Sequence, residues 1–368
     1  MFYLAVDQHS KQLTVNLRNE AGEILVRRQV STRGDAPRQF LAEVQQRSAA
    51  EGGYLTIVEV CGFNDWLLEL LPRCGCRETV LVQADRRSKR KTDRRDANQL
   101  GELLWVNRHR LAAGQSIRHL RRVRILTRPE REDRRVTQLR KNLGRELTRT
   151  INALKTILRR ENVEQHCPTK GIQTQAAARW LKSLALSPLD RLEMNQLLAR
   201  WQLLKRQKEQ VEEQVARRAA AHPDAQLLRT LPGAAAFTAL GLAARVGPIE
   251  RFPRPRSLAN YWGLTPGCRN SGEATDRLGS ITKEGSSLAR FLLGQLVLHV
   301  LRKDAVMRGW YKRIKLRRGS KIARVAVMRR LATIIWHMLK EREPYHLGGP
   351  PRRKIKRHEP ALSGAAPV

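Results

Sequence analysis

Apolar residues recur along this chain in two different rhythms. Short β-rich runs occupy residues 2–6 (Phe-Tyr-Leu-Ala-Val), 12–17, 23–30, 55–60 and 79–83, and the first three are separated only by polar or glycine-containing breaks. Runs of this length bounded by turn residues predict strands. Three strands therefore follow in succession and two more come later. Between and after them, residues 35–50 with Asp35 as N-cap, 64–72 and 92–106 read as helices. That order predicts an α/β domain over residues 1–125, a mixed five-stranded sheet with flanking helices.

The second rhythm is helical. Val136, Leu139, Leu143, Leu147, Ile151, Leu154 and Leu158 recur at helical spacing with charged faces between them. Leu197, Trp201, Leu204, Val211 and Val215 take heptad-like steps, with Lys208 interrupting the seam. Residues 126–225 are thus a long helical, coiled-coil region, either a bundle within one subunit or a dimerisation arm. From about Leu228 the pattern changes to an all-α C-terminal domain, residues 226–345. Leu231-Pro-Gly233 opens an apolar helix to Val246, and helices are predicted over 286–302 and 321–340. The tail, 346–368, is Pro- and Gly-containing and basic (Arg352-Arg-Lys-Ile-Lys-Arg357), a composition that stays disordered until it meets nucleic acid.

Charge narrows the function. Seventy-one Lys and Arg face 34 Asp and Glu, a formal net charge of +37 over 368 residues. Such an excess, spread along most of the chain, predicts a large nucleic-acid footprint driven by phosphate contacts and counterion release. No apolar run reaches the roughly 18 to 20 residues of a membrane span, and the N-terminus does not read as a signal peptide, so an intracellular protein is expected. Five cysteines, with no zinc-type spacing around Cys74-Gly-Cys76, read as reduced thiols.

Against that basic background four acids stand out. Asp7 ends the first apolar run, Glu59 lies inside another, and Asp93 and Asp96 share Lys91-Thr-Asp-Arg-Arg-Asp-Ala97. Two-metal phosphoryl transfer needs several carboxylates converging on ions about 4 Å apart. An acid on the first strand, one on a later strand and two on a following helix can supply them. The i, i+3 spacing of Asp93 and Asp96 puts both on one helix face. Taken singly, Asp7 can cap a turn, Glu59 can pair with an Arg, and Asp93 and Asp96 can be helix-start acids. Together, and with Glu59 flanked by apolar residues, they point to a metal site.

Val6-Asp-Gln-His-Ser-Lys11, Val58-Glu-Val-Cys-Gly62 and Lys91-Thr-Asp-Arg-Arg-Asp-Ala97 resemble the three motifs of the RuvC-like DEDD domain of insertion-sequence-110 family transposases, including the insertion-sequence-1111 branch, and of the related Piv DNA invertases. The resemblance runs through the helical middle to about residue 345. It implies an RNase H-like (RuvC-like) N-terminal fold and Asp7, Glu59, Asp93 and Asp96 as catalytic ligands of Mg²⁺ or Mn²⁺, as two ions. It also implies DNA partners at element ends and target, a noncoding guide RNA, a homo-oligomer (dimer or tetramer) with no membrane, and a place in the prokaryotic cytoplasm at the nucleoid.

The same family carries a Pro-Gly helix entry, a Gly-Leu-x-Pro segment, a Ser-Gly pair and an Ile-x-Lys-x-Gly stretch. Here these read Leu231-Pro-Gly233, Gly263-Leu-Thr-Pro266, Ser271-Gly272 and Ile281-Thr-Lys-Glu-Gly285. By matching position Ser271 is the nucleophilic serine, with Arg269 and Lys283 as nearby cations for the phosphate under attack. Without the resemblance a Ser-Gly pair between helices is a turn. Ser280, Ser286 and Ser287 are competitors, the last two as helix caps. Residues 234–236, all Ala, replace the Ile-Gly turn common among relatives and read as a packed helix start.

Arg86, Arg87, Lys89, Arg90 and Lys91 precede the Asp pair and read as a phosphate guide, or else as a solvated loop. Lys312 and Arg313 open a second basic band, with Trp310 and Tyr311 at its edge assigned to core packing rather than base stacking. The resulting expectation is a transposase or recombinase that cuts and rejoins DNA through a phosphoserine intermediate. A Holliday-junction type endonuclease using water, or a noncatalytic nucleic-acid-binding protein, are the alternatives.

Overall fold

In a computed structural model of the chain, the residues described are 1–83, 93–115, 117, 120–268 and 278–349, without the side chains of residues 93–96, 268 and 278. The chain divides into two compact units, Met1–Leu126 and Thr127–Val368.

The first unit is a mixed sheet of β1 (Phe2–Gln8), β2 (Gln12–Arg18), β3 (Ile24–Ser31), β4 (Tyr54–Glu59), β5 (Cys76–Gln83) and β6 (Arg121–Arg122), in the order β3-β2-β1-β4-β5-β6. β1, β4 and β5 run parallel; β2, β3 and β6 are antiparallel to their neighbours. The five expected strands are present, and β6 corrects the count to six. Two arginines carry no apolar periodicity, so nothing in the pattern announces them as a strand. β1 is buried along its whole length because helices cover both faces of the sheet's centre. On one face Leu4, Val6 and Val58 pack with Phe40 and Leu41 of α1 (Ala36–Ser48) and Leu67 and Leu71 of α2 (Asp65–Arg73). On the other, Tyr3, Ala5, Ile57 and Val82 pack with Leu100 and Leu104 of α3 (Asp93–Val106) and Leu111 of α4 (Arg108–Ala112). β3, with its mostly exposed Arg-containing segment, is a blunted edge.

The second unit opens on α5 (Arg128–Arg160), whose start is fixed by Glu130 accepting the Thr127 backbone N–H at 2.9 Å. After α6 (Gln175–Ser183), α7 (Pro188–Ala221) returns along it. Arg218 bonds Asp133 at 2.8 Å, Arg140 bonds Glu212 at 2.6 Å, and Arg160 reaches Glu193 at 3.1 Å, so the pair is antiparallel and within one chain. Leu143, Leu154, Leu158, Trp201, Leu204 and Val215 are buried as the periodicity predicts, whereas Leu139 is exposed.

The remainder packs α8 (Pro223–Leu228), α9 (Ala236–Val246), α10 (Pro255–Tyr261), α11 (Ser287–Lys303) and α12 (Ala305–Glu341) around one apolar core, with a hairpin of β7 (Pro266–Cys268) and β8 (Leu278–Ile281) between α10 and α11. α9 begins at Ala236, where the triple alanine reads as a helix start. The expected helix over 321–340 is the second limb of α12. The basic band before it is helical as well, and the two limbs meet at Gly319 with φ 79° and ψ 167°. The cationic face hides that first limb from an apolar-periodicity reading. No helix among the described residues is long and apolar enough to cross a membrane.

Candidate metal and nucleic-acid sites

Register brings the first two acids together. β1 and β4 are parallel neighbours with Val6 opposite Val58, so Asp7 and Glu59 are the next position on each strand. Adjacent strands lie about 4.8 Å apart and alternate their side chains, so both acids fall on the face that Ala5 and Ile57 share with α3. Asp7 is buried and Glu59 half-buried. The turn after β4 is tied back by Asn64, whose amide donates to the Glu59 carbonyl at 3.2 Å and to Gln8 Oε1 at 2.9 Å.

The backbone of α3 starts at the same end of the sheet. Trp105 Nε1 donates to the Glu20 carbonyl at 3.1 Å, and Asn16 Nδ2 donates to Asn98 Oδ1 at 2.8 Å. Running back along α3 therefore follows β2 from Glu20 toward Asn16 and on toward Thr14, the register partner of Asp7. Five helical residues from Asn98 to Asp93 rise about 7.5 Å, close to the roughly 6.6 Å of two strand residues. Gly101 permits this approach, since a Cβ there would lie 2.7 Å from Asn16 Oδ1. The side chains of Asp93 and Asp96 lie outside the described residues.

Electrostatics agree with an acidic focus. The Cys61 thiol is pushed up first by burial and then by the charges of Asp7 and Glu59. His9 Nε2 stands 3.1 Å from Asp7 Oδ2. Carboxylate oxygens on rigid strands are the hard donors that Mg²⁺ and Mn²⁺ take, so the donor set fits such ions. Among the described residues no group of three or more His, Cys, Asp or Glu forms a ready cage. His9 is a neighbour that the acid motifs pointed past, although it sits in the same run.

The second region is the β7–β8 hairpin. In sequence Arg269 and Ser271 lie between β7 and β8, and both are outside the described residues; Arg86, Arg87, Lys89, Arg90 and Lys91 are outside them too. The foot is described, and its glycines explain the motifs around it. Gly263 has φ +64° and a Cβ there would meet the Glu284 carbonyl at 2.3 Å; Gly285 has φ +69° and a Cβ would meet the Tyr261 carbonyl at 2.0 Å. Only glycine allows the two turns to close on each other. Lys283 N–H donates to the Gly263 carbonyl at 3.1 Å, and Arg290 Nη1 donates to the carbonyls of Trp262 at 3.1 Å and Glu284 at 2.7 Å. Ser286 caps α11, its Oγ accepting the Ala289 N–H at 3.2 Å, the helix-cap role expected of it.

Lys283, Lys312 and Arg313 are exposed. Trp310 packs on the core beneath Arg330 at 5.0 Å, as assigned. Beside the hairpin an open groove of about 1010 Å³ runs past Ser280, Ile281 and Ile322, with Arg318, Lys321 and Arg329 among its lining. All three belong to the second basic band of the sequence, Lys312 to Arg318 and Lys321 to Arg330, and the folded α12 brings them to one side.

Residues 225–312 match the family model described as Transposase IS116/IS110/IS902 family. A "Transposase for insertion sequence element IS1111A" from Coxiella burnetii is 37% identical over 141 residues, covering 37% of this chain and 38% of that protein. A "Probable family 20 transposase" from Pseudomonas aeruginosa is 29% identical over 127 residues, covering 33% of this chain and 37% of that protein. The matched region thus spans less than two fifths of the length of these curated relatives. Residues 225–312 of the C-terminal unit are thus similar to this transposase family, and the chain is similar in sequence to an insertion-sequence transposase.

Proposed function

We propose that this protein is an insertion-sequence transposase that cuts and rejoins DNA with an acidic metal site in its RNase H-like N-terminal unit and a serine nucleophile in its C-terminal unit. The observation that carries the reading is the placing of Asp7 and Glu59 side by side at the ends of neighbouring central strands, at the end of the sheet where the helix of Asp93 and Asp96 begins. The transposase-family match of residues 225–312 in the same chain supplies the substrate class, DNA.

In this reading Asp7, Glu59, Asp93 and Asp96 hold divalent ions, Mg²⁺ or Mn²⁺. Their chemistry when bound is neutralisation of charge at the phosphodiester. Ser271 Oγ forms a bond to phosphorus, the P–O3′ bond breaks, and the serine proton is lost as the released 3′ oxygen gains one. Lys283 and Arg269 lie close in sequence for the phosphate, and the basic runs at 86–91 and 312–313 hold the strands on either side. A second strand's 3′ hydroxyl then attacks the same phosphorus: a P–O3′ bond forms, the P–Oγ bond to Ser271 breaks, and the proton lost by the hydroxyl is regained by the serine oxygen. A structured noncoding RNA choosing the sites, and a dimer or tetramer sharing the acids and the serine between subunits, complete the proposal.

The test is strand cutting of end-labelled element-junction DNA, with RNA from the native locus, in Mg²⁺ and in EDTA. Cutting that needs Mg²⁺ and is lost in both Asp7→Asn and Ser271→Ala supports the reading. Cutting that survives Ser271→Ala favours a water-using endonuclease, and none with intact binding favours a noncatalytic protein.

A further inference from the structure

Four cations, Lys141, Arg145, Arg245 and Arg290, gather on the C-terminal unit where α5, α9 and α11 meet, and of these only Arg290 belongs to a region described above. Arg245 of α9 is buried, and among the described residues its hydrogen-bond acceptors are neutral: Nη1 donates to Thr137 Oγ1 at 2.9 Å and to the Gly241 carbonyl at 3.1 Å, and Nη2 to the Arg134 carbonyl at 3.3 Å. Thr137, Lys141 and Arg145 follow one another at four-residue steps along α5, so Lys141 stands one turn and Arg145 two turns beyond the point Arg245 touches. Lys141 Nζ lies over the ring of Phe291 at 5.4 Å, and the residue before Phe291 is Arg290, the one that fastens the foot of the β7–β8 hairpin.

Among the described residues, none of these four is ion-paired to a carboxylate. Lys141 carries the consequence: its ammonium is held below its ordinary range by burial first, then by Arg145, Arg245 and Arg290. Burial likewise brings Arg245 down to about 10, with Arg134 adding to the repulsion. Gathering partly desolvated like charges opposes folding, and α5 repeats the repulsion with Lys141 and Arg145 one turn apart. A group with two or more anionic oxygens would remove that cost.

We propose that Lys141 and Arg145, backed by Arg245 and Arg290, form a seat for a backbone phosphate of a nucleic-acid strand passing the foot of the hairpin. The proposal rests on the transposase reading for the identity of the ligand and adds a site to it. Phosphodiester is the chemistry recognised. The half-exposed Phe291, with 43% of its surface free, gives the seat an apolar edge beside the Lys141 ammonium. Arg245 and Arg290 act by fixing charge in place and not by touching the strand.

The experiment measures binding of the full chain to fluorescently labelled single-stranded DNA, duplex DNA and single-stranded RNA, in EDTA, across a salt series. The variant is Lys141→Gln with Arg145→Gln. The control, Arg206→Gln with Arg217→Gln, removes the same charge from exposed positions of α7. The seat predicts that affinity falls roughly tenfold and that the slope of log affinity against log salt flattens by about 1.4 to 1.8, while the control changes neither by as much. Because, among the described residues, neither side chain makes a hydrogen bond or ion pair, the thermal midpoint should stay or rise. Charge-keeping exchange, Lys141→Arg with Arg145→Lys, should restore the slope. The ligand for which the loss is largest identifies the strand as DNA or RNA. A slope equal to the control's on all three ligands overturns the seat alone; a wild-type chain that binds none of them overturns the transposase reading as well.

Discussion

In the N-terminal unit Asp7 and Glu59 stand at the ends of central strands, whereas in the C-terminal unit β7 and β8 rise from a loop gripped by backbone. Asp7 and Glu59 inherit their positions from the register of β1 and β4, which is set by the buried apolar residues before them. The hairpin foot inherits its position from Gly263, Gly285 and three carbonyls taken by Arg290. An acid on a strand can be changed with the fold intact. A residue of the foot is part of the fold, so function and stability fall together there.

The largest expected separation comes from Asp7→Asn. Strand cutting should drop by about a hundredfold to a thousandfold or more, and the urea midpoint should hold or rise because one charge of a close acid pair is gone. A variant that unfolds with its activity loss would erase the contrast between the two regions.

Gly285→Ala should do the reverse. Its new Cβ meets the Tyr261 carbonyl at 2.0 Å and its φ of +69° is unfavourable, so a loss of about 2 to 4 kcal/mol in denaturant unfolding is expected, together with loss of cutting. Equal stability of variant and wild type would show that the loop is not locked.

A third prediction concerns Asp304, fully buried at the start of α12. It accepts the Met307 N–H at 2.8 Å, the Gly348 N–H at 2.7 Å and the Tyr345 hydroxyl. Burial pushes its carboxyl up, but these donors outweigh burial and hold it below the ordinary range. Its contribution to stability is therefore present above the unfolded value, about 3.9, and is lost as pH falls through the lower folded value. Asp304→Asn should cost about 2 to 3 kcal/mol near neutral pH, and its gap from wild type should narrow below about pH 4. A gap that is constant with pH would contradict the assignment.

The smallest effect is expected on α7, where Leu189, Leu192 and Leu203 are exposed. Changing any one to Ser should move the stability of the single chain by no more than about 0.5 kcal/mol. A larger loss that depends on protein concentration would place a second copy on that face.

The strands themselves were legible because central strands announce themselves as apolar runs. Residues 2–6 and 55–60 became β1 and β4 with edges shifted by a residue or two. The acid positions were legible for the same reason, since an acid ending or interrupting such a run is conspicuous. Their adjacency was not, because sequence shows which face a residue takes but not which strand lies beside it. β6 and the first limb of α12 were hidden by arginine and lysine, which carry no apolar rhythm. Arg245 carried no signal of its own in the sequence, since its burial depends on α5 and α9 meeting at Thr137.

The most direct measurement is to trap wild-type protein with junction DNA and RNA in Mg²⁺, denature, digest, and seek nucleotide-linked peptide by mass spectrometry. The account predicts a phosphodiester adduct on the peptide containing Ser271, at Ser271 itself, absent when Asp7 is Asn. DNA cut at the same junction with no nucleotide on any peptide, or an adduct on another side chain, would contradict it.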